Sequence, residues 1–159
     1  MRDRREELLV RLLDVLQSNE AAPLLTAFRN RADLTSMERP CAILLDGVEQ
    51  STGSLTRKSG RGPDRRVDII EMRPQIFLFL RNRPESQASE RGPELNSYRI
   101  GIINAVVNDQ ELIELVGSNG GIFYRGCDTD MQTGEAVQGT MLFHFALQYI
   151  LDPNDLEGE

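Results

Sequence analysis

The chain has 159 residues, 40 % of them hydrophobic and 27 % charged, with a formal net charge of -7. These totals predict one domain, residues 1–159, with a real core, and no apolar run approaches the roughly 20 residues that span a bilayer. A sequence pI near 4.8 speaks against general nucleic-acid binding, which draws on broad positive potential.

Met1 to Glu7 mixes both charges, unlike a secretory signal, so synthesis in the cytoplasm is expected. Asp3 to Asn19 reads as an amphipathic helix, with Leu8, Leu9, Leu12, Leu13 and Leu16 at helical spacing. Leu24 to Leu34 reads as an irregular link with at most a helical turn. Pro40 opens a first strand, Cys41 to Leu45, and a second long strand is expected from Val67 to Leu80. Pro74 cannot donate to a ladder, which predicts an edge position or a bulge at that point. Between the strands, Gln50 to Arg66 is rich in Gly and Ser and holds Arg57, Lys58, Arg61, Arg65 and Arg66 against the single acid Asp64. It is too long for a hairpin turn and reads as a flexible basic arm.

Arg81 to Pro93 is polar, holds two prolines and reads as a loop. A second helix is expected from about Glu94–Ser97 to Val107. A third, Asp109 to Val116, has Asp109 as its N-cap and Gly117 as its stop. Ile122 to Asp128 reads as a strand and Thr129 to Gly134 as a turn. From Val137 the chain alternates, with Met141, Phe143, Phe145, Leu147 and Tyr149 on one face and Gln138, Thr140, His144 and Gln148 on the other. Residues 153–159 read as a frayed acidic tail. The order predicts an α+β fold: a mostly antiparallel sheet of four or slightly more strands, with helices on one face.

Chemical signatures are sparse. Cys41 and Cys127 are too few for a disulfide framework or a cysteine zinc site, and both read as buried thiols. His144 is the only histidine; a cysteine–histidine nucleophilic pair lacks any supporting motif, and a solvated or hydrogen-bonded ring is expected. Asp46, Glu49, Asp68 and Glu71 flank the strands that bracket the arm. They could hold Mg²⁺ in a nuclease, but Arg73 stands where such enzymes place a lysine, so a solvated rim is the better reading. The glycines around Lys58 lack the order of a phosphate-binding loop. No catalytic residue, cofactor or metal is assigned.

The layout itself is informative. An amphipathic helix leads into Arg39-Pro-Cys-Ala-Ile-Leu-Leu-Asp-Gly47, followed by the arm, an Arg-Arg-Val-Asp-Ile strand, a helix and a turn. A closing hairpin ends in Phe143-His-Phe-Ala-Leu-Gln-Tyr149. This order resembles the tail terminator (tail completion) proteins of long-tailed bacteriophages over nearly the whole chain, without a diagnostic motif. The resemblance implies a small non-enzymatic virion protein, made in the host cytoplasm, that forms a hexameric ring. Such a ring caps the tail tube and offers a surface to the head. Its partners would be other copies of itself, a tube protein and a head-completion or neck protein, with neither membrane nor sequence-specific nucleic acid. It gives the basic arm a role in ring or tube contacts and makes the loop around Pro93 and Glu94 a subunit interface. The Arg81–Gly92 segment looks longer than the family pattern needs. The alternatives are another neck or head–tail joining protein, a generic binding module, or the metal nuclease.

Overall fold

The computed structural model describes residues 3–18, 21, 25–32, 39–58, 60–81, 83–84, 87–132 and 136–152. Helix α1 (Arg4–Gln17) starts where the Asp3 side chain accepts a hydrogen bond from the Glu6 backbone N–H at 3.2 Å. It buries Leu8, Leu9, Leu12, Val15 and Leu16, the expected stripe. Strands β1 (Thr26–Arg29), β2 (Cys41–Arg57) and β3 (Arg65–Phe79) follow, then the two-residue β4 (Arg83–Pro84). Helices α2 (Ala88–Val107) and α3 (Gln110–Val116) precede strands β5 (Gly121–Gln132) and β6 (Ala136–Leu151). The sheet runs β1-β2-β3-β6, with β4 and β5 both pairing with β6. Every pair is antiparallel except β1 with β2. This is the expected α+β class.

The helices bury their apolar stripes on one face of the sheet. Leu95, Ile102 and Val106 of α2 and Leu112 and Val116 of α3 join α1 in a single core. Met72, Ile76 and Leu78 of β3 meet them there, with Met141, Phe143, Phe145, Leu147 and Tyr149 of β6. The odd positions of β6 therefore face the core, as the alternation predicts. Helix α3 has the expected caps: Asp109 accepts from the Leu112 N–H at 2.9 Å, and Gly117 stops the helix at φ 79°. Asp109 also takes a forked contact from Arg11 of α1 at 2.6 and 2.9 Å, tying the two helices together.

Four expectations need correction. The Gln50–Arg66 arm is a paired ribbon rather than a structureless loop: β2 continues to Arg57 and β3 resumes at Arg65, paired from Val48↔Arg73 to Arg57↔Arg65 with one further bulge at Thr52, between Ser51↔Ile70 and Gly53↔Ile69. The side chains of its β2 strand are exposed on both faces, so that strand lacks the alternation that marks a half-buried one. Part of the Leu24–Leu34 link is strand β1, parallel to the start of β2; Leu24, Asp33 and Leu34 lie outside the described residues. The Arg81–Pro93 loop contains β4 and the first turns of α2, so Pro93 and Glu94 lie inside a helix rather than before one. Finally, β5 runs on through Thr129 to Gln132. Residues 133–135 and the tail 153–159 lie outside the described residues.

At Pro74 the expected bulge is present. Asp46 and Gly47 of β2 together face Pro74, between the pairs Leu45↔Gln75 and Val48↔Arg73. On the other side, the β3–β6 ladder skips from Met72↔Leu147 to Gln75↔His144. One strand further on, Arg125 is an extra residue between Tyr124↔Phe145 and Gly126↔His144. Three irregularities thus line up across the sheet at one level. Gly47 is required there: its φ is +69°, and a Cβ would fall on the Arg73 carbonyl.

Candidate functional site

Two places on the sheet concentrate polar groups: the ribbon tip and the crease below it. At the tip, Arg57 closes β2 and Arg65 and Arg66 open β3, while Lys58 and Arg61 lie exposed in the turn between them. Arg57 and Arg65 reach back to Asp152, at 3.1 and 3.9 Å. Asp152 is only 3 % exposed and follows the last residue of β6. A buried carboxylate must be compensated, so these two arginines have a structural duty at the root of the ribbon. Arg66 donates to Ser54 Oγ at 2.9 Å across the ribbon. Lys58 and Arg61 are the tip cations that extend furthest from the body along the chain.

The second expected contact region is not joined to the first. Glu94 accepts from Arg91 at 3.1 Å. Arg91 is fully buried in α2 and also donates to the Arg81 carbonyl, beyond the end of β3. The ribbon tip precedes the start of β3. The strand's whole length therefore separates Arg57, Lys58, Arg61, Arg65 and Arg66 from Pro93 and Glu94. Nothing in the sequence marked Arg91 as buried; its signal is Gly139, whose missing side chain leaves the space the arginine stem fills.

The crease was not foreseen as a site. The bulges leave a hollow of about 480 Å³ between Gly47 and Val48 of β2, Glu71 to Gln75 of β3, Arg125 of β5 and His144 of β6. Glu71, 6 % exposed, is the centre of its charge network. It accepts from Arg73 Nε at 2.8 Å and from Gln148 Nε2 at 3.3 Å, with Arg125 Nη2 at 3.6 Å. The Arg73 guanidinium holds the Glu71 carboxyl below the usual carboxylate range against the opposing effect of burial. Arg125 also lies over the Phe123 ring, 4.9 Å from its centroid. His144 is hydrogen-bonded, as expected: one ring nitrogen meets Asp128 at 2.9 Å and the other meets the Gln75 amide at 3.4 Å.

Of the remaining strand-end acids, Asp46 and Glu49 are occupied and Asp68 is exposed on β3. Asp46 takes a forked contact from Arg29 at 2.7 and 2.8 Å, and the same guanidinium grips Glu6 of α1 at 2.7 and 2.9 Å. Arg29 thereby holds both carboxyls below their ordinary range. Glu49 accepts a hydrogen bond from the Tyr149 hydroxyl. Burial and that carboxylate push the Tyr149 hydroxyl well above the usual phenol range. Among the described residues no cluster of three or more His, Cys, Asp or Glu side chains is placed to hold a metal ion. Among the described residues, no helix is long and apolar enough to cross a membrane. No family model matches the chain, and no curated protein matches its sequence.

Proposed function

We propose that this protein is a structural assembly protein of the phage tail terminator type, whose copies form a ring on the end of a tail tube. The observation that carries the reading is the β2–β3 ribbon. Beyond Leu44 the outer edge of β2 has no strand beside it among the described residues, because β1 pairs only Cys41 to Leu44. Beyond Asp68 the other edge is also without its partner, since β6 pairs no further than Leu151. The ribbon therefore carries its basic tip past the helix-covered body of an otherwise acidic chain. In a cyclic ring the contacts are heterologous, so a positive surface on one copy meets a negative surface on the next. A cation-bearing extension on an acidic body suits that geometry. Exposed acids on the body include Asp128 and Glu111, with 79 % and 60 % of their side chains exposed.

Light scattering or mass photometry tests the ring directly. Six copies of the 17.9 kDa chain predict a species of about 107 kDa, formed alone or on addition of purified tail tubes. A species that stays at one chain mass in both conditions sinks the proposal. Lys58→Glu with Arg61→Glu should weaken assembly without altering the circular dichroism spectrum. Arg57 and Arg65 are unsuitable for that test, because their reversal would set like charges against the buried Asp152.

A further inference from the structure

We propose that the crease is an oxyanion-binding site, with Arg73 and Arg125 as its two donors and a carboxylate or phosphate group as its ligand. The argument begins with an inventory of hydrogen-bonding capacity. Glu71 is already served by Arg73, Gln148 and Arg125, so the principal acceptor in the hollow is taken. The donors are not exhausted. Arg73 turns Nε and Nη2 to Glu71, and a guanidinium has five N–H groups, which leaves Nη1 over. Arg125 approaches Glu71 through Nη2 alone, which leaves more of its fork.

Position supports the same conclusion. The side chains of Arg73 and Arg125 are 49 % and 54 % exposed, so solvent and ligand reach them. Both are also oriented, by one buried carboxylate and, for Arg125, by the Phe123 ring. Two cations stand against Glu71, and the exposed Asp128 lies at the His144 edge of the hollow. Preorganised forks of this kind match planar or tetrahedral oxyanions, which take paired N–H donors. Pro74, Phe145 and Val48 add apolar surface to the lining, which suits a carboxylate or phosphate carried on a short carbon stem. The hollow exists where extra residues in β2 and β5 fall level with an interruption of the β3–β6 ladder, so the ligand site and the sheet bulges have one origin. The proposal does not rest on ring formation.

The test uses NMR on the full chain, with the ring protons of His144 and the Nε–H signals of the arginines as reporters. Sodium phosphate and sodium acetate are titrated separately, with sodium chloride at equal ionic strength as the control. Saturable shifts at His144, Arg73 and Arg125 with phosphate, acetate or both are expected, and which salt gives them identifies the class of oxyanion. Arg125→Gln should weaken binding at least about tenfold, as expected for the loss of charge-assisted hydrogen bonds. Arg73→Lys, which keeps a charge beside Glu71 but loses the fork, should weaken it several-fold. Arg61→Gln in the ribbon turn should change nothing. The proposal is overturned by non-saturating shifts with both salts, or by chloride acting equally. Full affinity in Arg73→Lys, or in an Arg125→Gln protein with an intact amide spectrum, overturns it too, as does an equal loss in Arg61→Gln.

Discussion

The two halves of the β2–β3 hairpin share a backbone ladder but little else. In the body half, Cys41 to Leu45 pairs with Gln75 to Phe79; β1 and β6 flank the pair, and Ala42, Leu44, Ile76 and Leu78 enter the core. In the ribbon half, Val48 to Arg57 pairs with Arg65 to Arg73, and β2 is exposed along nearly all of its length. Apolar burial holds the first half on both strands, whereas in the second it continues only on β3, through Val67, Ile70 and Met72, and β2 rests on backbone hydrogen bonds and on the Asp152 anchor. Cross-strand pairing alone is marginal in water, and a two-stranded ribbon needs a covered face or a partner to be strongly stable. A ribbon of this kind is stable only to the extent that the body holds it. The crease lies on the boundary between the halves, at Gly47 and Pro74.

The comparison is broken most severely in the body. Leu78→Ala removes a fully buried side chain and should cost about 3–4 kcal/mol in urea unfolding. Leu55→Ala, in the ribbon and 37 % exposed, should cost under about 1 kcal/mol. Equal costs would mean that the ribbon is part of the core. At the boundary, Gly47→Ala forces a side chain onto the Arg73 carbonyl at positive φ and should cost about 2–3 kcal/mol. It should also shift the His144 resonances, because the hollow closes.

Acid should act on the body next. Asp109, Asp46 and Glu71 are all lowered by their arginine partners. The stabilisation from each is therefore complete above the unfolded-state carboxyl range and is lost as pH falls through the folded value. The unfolding midpoint should be flat down to about pH 5 and fall below about pH 4. Asp109→Asn should flatten part of that fall while lowering neutral-pH stability by about 1–2 kcal/mol, through the weakened Arg11 contact. An unchanged acid limb in that variant would remove Asp109 from the account. The smallest stability effect is expected at the tip: Lys58→Glu with Arg61→Glu should leave the monomer within about 0.5 kcal/mol of the parent. Amide exchange sharpens the same contrast, with faster exchange across Glu49–Arg57 than across Ala42–Leu44.

Much of the body was legible in the sequence because its signals are local. The leucines of α1, the Asp109 and Gly117 caps, and the alternation from Met141 to Tyr149 each follow from a few neighbouring residues. Pro74 announced its bulge for the same reason, since a missing N–H disturbs a ladder wherever it lies. The β2 side of the ribbon was illegible because both of its faces meet water. Ser51, Thr52, Gly53 and Ser54 carry no hydrophobic period, so strand and loop look alike there. The start of α2 was hidden by Pro93, a residue that ordinarily signals a helix boundary but here sits inside the helix. The basic residues were located correctly as a group, while their division into anchors and tip was hidden: Arg57 meets an acid 95 positions away.

What the amino-acid sequence determines by itself is the apolar pattern, the caps, the break at Pro74 and the placement of cations between two strands. Those are properties of short windows, fixed by side-chain size, missing donors and helical or strand period. Tertiary structure decided that the basic segment is a ribbon stapled to Asp152, because only cross-strand registration creates that ladder. It also decided that Glu71, Arg73 and Arg125 share one hollow. Their proximity depends on bulges in β2 and β5 falling level with the break in the β3–β6 ladder, a condition that no single stretch of chain encodes.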